Sequence, residues 1–147
     1  MNIQYKAIDK SNIHEFLQLH KTVFGDRNFA LFVDIEKKCQ IGKPIQNIGF
    51  IAYDDNGLPI GALGCYPFFI HNFRVKHLAA QIGDAMVLED YRKEGVFDGL
   101  IKNVVRRCKE EGIDLVLTYP SVQNLGSYKG FVNNDFDQNG AASHISF

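Results

Sequence analysis

"AAQIGDAMVLEDYRKEGVFDGLI", residues 79–101, decides how this chain folds. Its first ten residues are largely apolar and free of proline, which is the pattern of a strand buried on both faces. From Gly95 onward, Val96, Phe97, Leu100, Ile101, Val104, Val105 and Cys108 recur at helical spacing with charges between them. Between strand and helix stand Arg92, Lys93, Glu94 and Gly95. A helix opens with N–H groups that lack intrahelical partners, and its dipole adds partial positive charge at that end. Gly95 has no side chain to hold a ligand off, and Arg92 and Lys93 add formal charge, so residues 92–97 form a candidate anion site. The same residues equally suit a tight turn relieved by glycine, with two solvated cations beside it.

Working downstream, Gly112 closes the helix and "IDLVLTYP", residues 113–120, reads as a second buried strand. The strand-helix-strand unit should be parallel, with a right-handed crossover. That puts the glycine junction at the C-terminal end of a strand, where open sheets bind ligands. Asn124 opens a short last helix reaching Asn134, and residues 141–147 form a weak strand.

Upstream, residues 48–70 hold two strand-like runs divided by Asp54-Asp55-Asn56-Gly57, a strong hairpin signal. "HNFRVKH", residues 71–77, reads as a second polar link. The chain starts with an alternating strand at residues 3–8. Ser11 or Asn12 then caps a helix whose apolar face holds Ile13, Phe16, Leu17, Leu19, His20 and Val23, and Gly25 stops it. A further helix is expected over residues 28–39. The order is that of an α+β (α/β-like) fold with a mixed sheet.

With 147 residues the expectation is one domain spanning 1–147. Net charge is −1 and the basic residues are scattered, which argues against nucleic-acid and anionic-membrane partners. No apolar signal core opens the chain and no run reaches transmembrane length, so a cytoplasmic location is expected. Cys39, Cys65 and Cys108 lack metal-ligand spacing and read as buried free thiols. The five histidines form no ligand cluster, His14 and His20 should not share a helix face, and no metal site is expected.

Element order and motif together resemble the GNAT superfamily of acyl-CoA-dependent N-acyltransferases. The family loop Arg/Gln-x-x-Gly-x-Gly/Ala follows a strand ending in Val-x-Pro-x-Tyr. Val87, Tyr91, Arg92 and Gly95 fit it, with Glu89 in place of proline and Phe97 in place of the last small residue. The downstream signature Asn-x-x-Ala/Ser-x-x-x-Tyr-x-Lys-x-Gly-Phe is met by Asn124, Ser127 and Phe136. Phe131, Asn133 and Asp135 replace its tyrosine, lysine and glycine. The spelling looks closest to a bacterial branch associated with polysaccharide or amino-sugar acetylation. The resemblance implies a mixed, mostly antiparallel central sheet flanked by helices.

It also implies acetyl-CoA as cosubstrate and a small amine acceptor. The pyrophosphate would lie on the N–H groups of Arg92, Lys93, Glu94, Gly95, Val96 and Phe97. The pantetheine arm would pair with backbone of Met86, Val87 and Leu88, and Asn124 and Ser127 would complete the binding set. Asp84, the one acid inside the expected central strand, either deprotonates the acceptor amine or fixes the sheet by hydrogen bonding. Many family members protonate the leaving thiolate with the tyrosine replaced here by Phe131. Tyr128, almost one helical turn earlier, is the substitute, with Tyr119 or water as alternatives.

Family folds usually carry two strands after the last helix, and "AASHISF" leaves little chain for them. Either the C-terminal sheet edge is shortened or a second subunit of a homodimer covers it. Two functions are open: an N-acetyltransferase, or a catalytically inactive acyl-CoA-binding sensor or assembly module.

Overall fold

The computed structural model describes residues 1–25, 46–119, 125–139 and 142–147, without the side chains of residues 72, 125–128, 138, 139, 142 and 143. The helix expected over 28–39, Cys39 and Asn124 lie outside the described residues.

Among the described residues, the strands are β1 (Gln4–Ala7), β2 (Phe50–Tyr53), β3 (Pro59–Asn72), β4 (Val75–Val87), β5 (Leu115–Thr118), β6 (Asp137–Asn139) and β7 (Ala142–Ser146). They make one sheet in the order β1-β2-β3-β4-β5-β7-β6. Only β4 and β5 pair in parallel; every other neighbouring pair is antiparallel. With helices α1 (Ile13–Phe24), α2 (Val96–Glu110) and α3 (Leu125–Asn133), this is the mixed, mostly antiparallel α+β fold expected.

Helices cover both faces. In β2 all four residues are buried, and alternation sends Phe50 and Ala52 one way, Ile51 and Tyr53 the other. Phe16 and Leu19 of α1 pack with Ile51, Tyr53, Ala62 and Met86. Opposite, Leu100, Ile101, Val104 and Cys108 of α2 and Phe131 of α3 pack with Phe50, Leu63, Cys65, Ala80 and Ile82. Cys65 and Cys108 are free thiols with their sulfurs 3.6 Å apart. Contact with Cys108, reinforced by burial, holds the Cys65 thiol well above its ordinary pKa.

Two boundaries differ from the sequence reading. The stretch 71–77 is not a polar link, because β3 and β4 run on to Asn72 and Val75 and only Phe73 and Arg74 form the turn. Polar residues on a solvated ribbon carry no apolar alternation to mark a strand, yet pair well; Lys76 lies over the Phe69 ring at 3.8 Å. The weak C-terminal strand is β7, and β6, only three residues long, precedes it. Asp137, Gln138 and Asn139 have poor strand propensity, so pairing with β7 is what makes them a strand, and two strands follow α3. Among the described residues no helix is long and apolar enough to cross a membrane, and no three His, Cys, Asp or Glu side chains gather as a metal site.

Candidate active site

The parallel pairing ends before β4 does. Among the described residues, β4 and β5 pair from Ala79↔Leu115 to Ile82↔Thr118, where β5 stops, while β4 continues to Val87. In the same stretch the β3–β4 register jumps from Gly64↔Gly83 to Ala62↔Met86. Asp84 and Ala85 therefore stand opposite Leu63 alone, a β-bulge, and Asp84 takes the left-handed conformation with φ 52°. A one-residue bulge flips every later side chain to the other face. That is why Ile82 packs with α2 whereas Met86 packs with α1.

Beyond Ile82, the far end of β4 has an edge that β5, ending at Thr118, does not cover. Leu88 is spent locally: its N–H donates to the Ile60 carbonyl at 2.9 Å, and its carbonyl accepts from Tyr91 N–H at 2.9 Å. Alternation then turns Met86 toward β3 and Val87 toward the opposite edge, which no described strand covers. Of the three residues expected to meet a pantetheine arm, the hydrogen bonding therefore favours Val87. Its carbonyl already accepts from Arg92 Nε at 3.2 Å.

From Val87 the chain enters a 3₁₀ turn, Glu89–Tyr91, and then the glycine junction. Tyr91 Oη donates to Asp54 Oδ2 at 3.0 Å, tying this turn to the β2–β3 hairpin. The other Asp54 oxygen accepts the N–H groups of Asn56 and Leu58. The Leu58 N–H, then Tyr91 and Asn56, hold the Asp54 carboxyl below its ordinary pKa. Lys93 and Gly95 both have positive φ, 69° and 79°, and Gly95 is the N-cap of α2. A Cβ on Gly95 would meet nothing within 4 Å, so the helix faces open space at this residue. Left-handed residues at such a turn are the backbone form that makes anion-binding concavities.

The departures from the family motifs explain one another. Phe97 leans over Gly130 of α3, where a Cβ would come within 2.7 Å of its ring. It also meets Phe131 edge-on at 5.4 Å between ring centroids. Phe131 is 2% exposed and belongs to the core. Asn134 Nδ2 donates to Asp98 Oδ1 at 2.8 Å and clamps the end of α3 to the start of α2. Asp135, in the glycine position, adopts φ 69° at the end of α3, as a glycine would. Ser127 and Tyr128 lie on α3, with side chains outside the described residues; Tyr119 follows β5 and is exposed.

Asp84 has partners that the sequence did not announce. Tyr66 Oη donates to Asp84 Oδ2, and His20 Nε2 lies 3.8 Å from Asp84 Oδ1. The His20 side chain is 6% exposed and that of Asp84 22%. Burial lowers the His20 pKa, against the opposing pull of the Asp84 charge. The three residues come from α1, β3 and β4, so no local spacing links them; His20 read only as part of an apolar helix face.

Among the described residues, the arrangement is a mixed sheet in which β4 runs past its parallel neighbour β5 and leads through a short turn to a glycine-capped helix. Residues 4–131 match the acetyltransferase (GNAT) domain model, and the chain belongs to that family. An uncharacterised N-acetyltransferase of Methanocaldococcus jannaschii is 24% identical over 139 residues, covering 90% of this chain. The chain spans only 60% of that relative's length. Among solved structures, a probable N-acyltransferase of Enterococcus faecalis aligns with TM-score 0.74 and 19% identity, over 94% of this chain and 33% of that one. AAC(6')-Iy in complex with the bisubstrate analogue CoA-S-monomethyl-acetylneamine aligns with TM-score 0.75 and 20% identity, over 94% and 92%.

Proposed function

We propose that this chain is an N-acetyltransferase that moves the acetyl group of acetyl-CoA to the amine of a small molecule. The observation that carries this reading is that, among the described residues, β4 runs on past its last pair with β5, Ile82↔Thr118, to Val87 and then to the Gly95-capped end of α2. In this reading the N–H groups around Gly95, with Arg92 and Lys93, hold the pyrophosphate. The open edge at Val87 pairs with the pantetheine arm and orients the thioester. Asp84, on the α1 side of the bulge, takes a proton from the incoming ammonium. Tyr128 supplies a proton to the departing thiolate, a role that buried, hydroxyl-free Phe131 does not fill.

The acceptor proposed is a small amine such as an amino sugar. Support comes from the branch resemblance and from the acetylneamine portion of the analogue bound to AAC(6')-Iy. The buried Phe131 favours a second reading, a CoA-binding module without turnover. Acceptor-dependent release of CoA thiol, measured over glucosamine, neamine and an alkyl diamine, decides between them. Release supports the enzyme; tight acetyl-CoA binding with no release from any amine supports the module.

A further inference from the structure

We propose that Tyr66 and His20 are positioning residues that fix and charge-tune Asp84 as proton acceptor for a substrate bearing a cationic primary amine. The proposal rests on the acetyltransferase reading and adds to it the residues behind the base. Asp84 sits two residues past the last β4–β5 pair, about 7 Å along the strand, on the stretch of β4 that β5 does not cover. Its left-handed backbone is strained for a residue with a side chain, and strain of this kind persists where the surroundings impose it. Tyr66 supplies one such constraint. Its single hydroxyl proton goes to Oδ2, which leaves Oδ1 on the His20 side.

The ring of Tyr66 reaches this place because residue 64 is glycine; a Cβ there would lie 2.6 Å from the hydroxyl. Gly83, next to Asp84, leaves room beside the same ring, with a Cβ at 3.7 Å. At 3.8 Å, His20 and Asp84 are too far apart for a hydrogen bond but well within reach of each other's charge. Among the described residues, Tyr53 of β2 donates to Glu15 of α1, and His14 of α1 is on the outer surface.

The chemistry balances as follows. An ammonium R–NH₃⁺ pairs with the Asp84 carboxylate, one N–H bond breaks, and the proton is taken by Asp84 Oδ1. A neutral carboxylic acid and a neutral amine result, with neutral His20 beside them. The amine lone pair forms the C–N bond as the thioester C–S bond breaks. The second amine proton leaves with the thiolate, and Asp84 returns the first to solvent. The net reaction is R–NH₃⁺ plus acetyl-CoA to the N-acetyl amine, CoA thiol and one proton.

The test uses the purified chain and its Asp84→Asn, Tyr66→Phe and His20→Gln variants. CoA release is followed with glucosamine, neamine and an alkyl diamine as acceptors, and His20 is titrated by NMR. Tyr66→Phe should lower kcat about tenfold with KM for acetyl-CoA held within about twofold. His20→Gln should remove the acid limb of kcat/KM that lies below about pH 6.5. In Asp84→Asn, whose asparagine tolerates the left-handed backbone, His20 should titrate lower than in the wild type, because the charge favouring imidazolium is gone. Folded Tyr66→Phe and His20→Gln proteins with wild-type kcat and pH profile overturn the proposal and leave the acetyltransferase reading standing. No CoA release by the wild type with any of the three amines overturns that reading and this proposal with it. Should His20→Gln fail to fold, an unchanged His20 titration in Asp84→Asn overturns the proposal by itself.

Discussion

Replacing Gly95 separates backbone strain from ligand occlusion. With φ 79° and nothing within 4 Å of its Cβ position, Gly95 presents no steric obstacle to a side chain from the protein itself. The cost to the fold is therefore the left-handed conformation alone, on the order of 1 kcal/mol for alanine. It is smaller for asparagine, which tolerates this region, and larger for valine, whose branched Cβ does not. For a chain of this length 1 kcal/mol lowers Tm by about 4 °C. Occlusion is a separate effect, because any side chain fills the space through which a pyrophosphate reaches the α2 N–H groups. Losing one charge-assisted contact there costs about 1.5–3 kcal/mol, or roughly 10- to 100-fold in Kd. Calorimetric titration with acetyl-CoA and thermal melts of Gly95→Asn, Gly95→Ala and Gly95→Val should show affinity lost in all three. Tm should fall least for asparagine and most for valine. A folded Gly95→Asn protein with wild-type affinity refutes the role of this loop.

Asp135→Gly should stabilise the fold by about 1 kcal/mol, since it relieves a left-handed aspartate and removes a negative charge from the C-terminal end of α3. Asp135→Asn removes the charge alone, and an Asp135→Gly melt no higher than that of Asp135→Asn contradicts the backbone part. His20 is held neutral by burial, so its folded pKa lies below the unfolded value. As pH falls from about 6.5 the unfolded chain binds a proton that the folded chain resists, and stability drops toward the folded pKa. Denaturant midpoints measured across that window should therefore fall more steeply for the wild type than for His20→Gln; parallel curves contradict the burial argument. Tyr128→Phe should lower turnover while leaving acetyl-CoA affinity nearly intact, and unchanged turnover assigns the thiolate proton to water.

Much of this architecture was legible because the decisive elements carry strong local signals. The helical spacing of Val96, Leu100, Ile101, Val104 and Cys108, the glycine before it and the Asn56-Gly57 turn each depend on neighbours in sequence. Gly95 and Gly112 both hold positive φ, as helix-flanking glycines should. What stayed hidden depends on pairing across the sheet. The tip of the β3–β4 ribbon and strand β6 are polar, and only their partners make them strands. The bulge at Asp84 is likewise a register event, invisible until β3 is laid beside β4, and it brings Tyr66 and His20 to that carboxylate. The family tyrosine absent at Phe131 could be noticed in the sequence. Its coupling to Phe97 through Gly130 required two helices in contact.

The placement of acetyl-CoA is tested most directly by hydrogen exchange with and without the ligand. Amides in the first turn of α2 have no helical acceptor and should exchange quickly in the free protein. Acetyl-CoA should slow the amides of residues 93–97 and of Val87 on the open edge of β4, and leave the β2–β3 turn at Asn56 and Gly57 unchanged. Saturating acetyl-CoA that leaves residues 93–97 and Val87 exchanging as before would contradict the site.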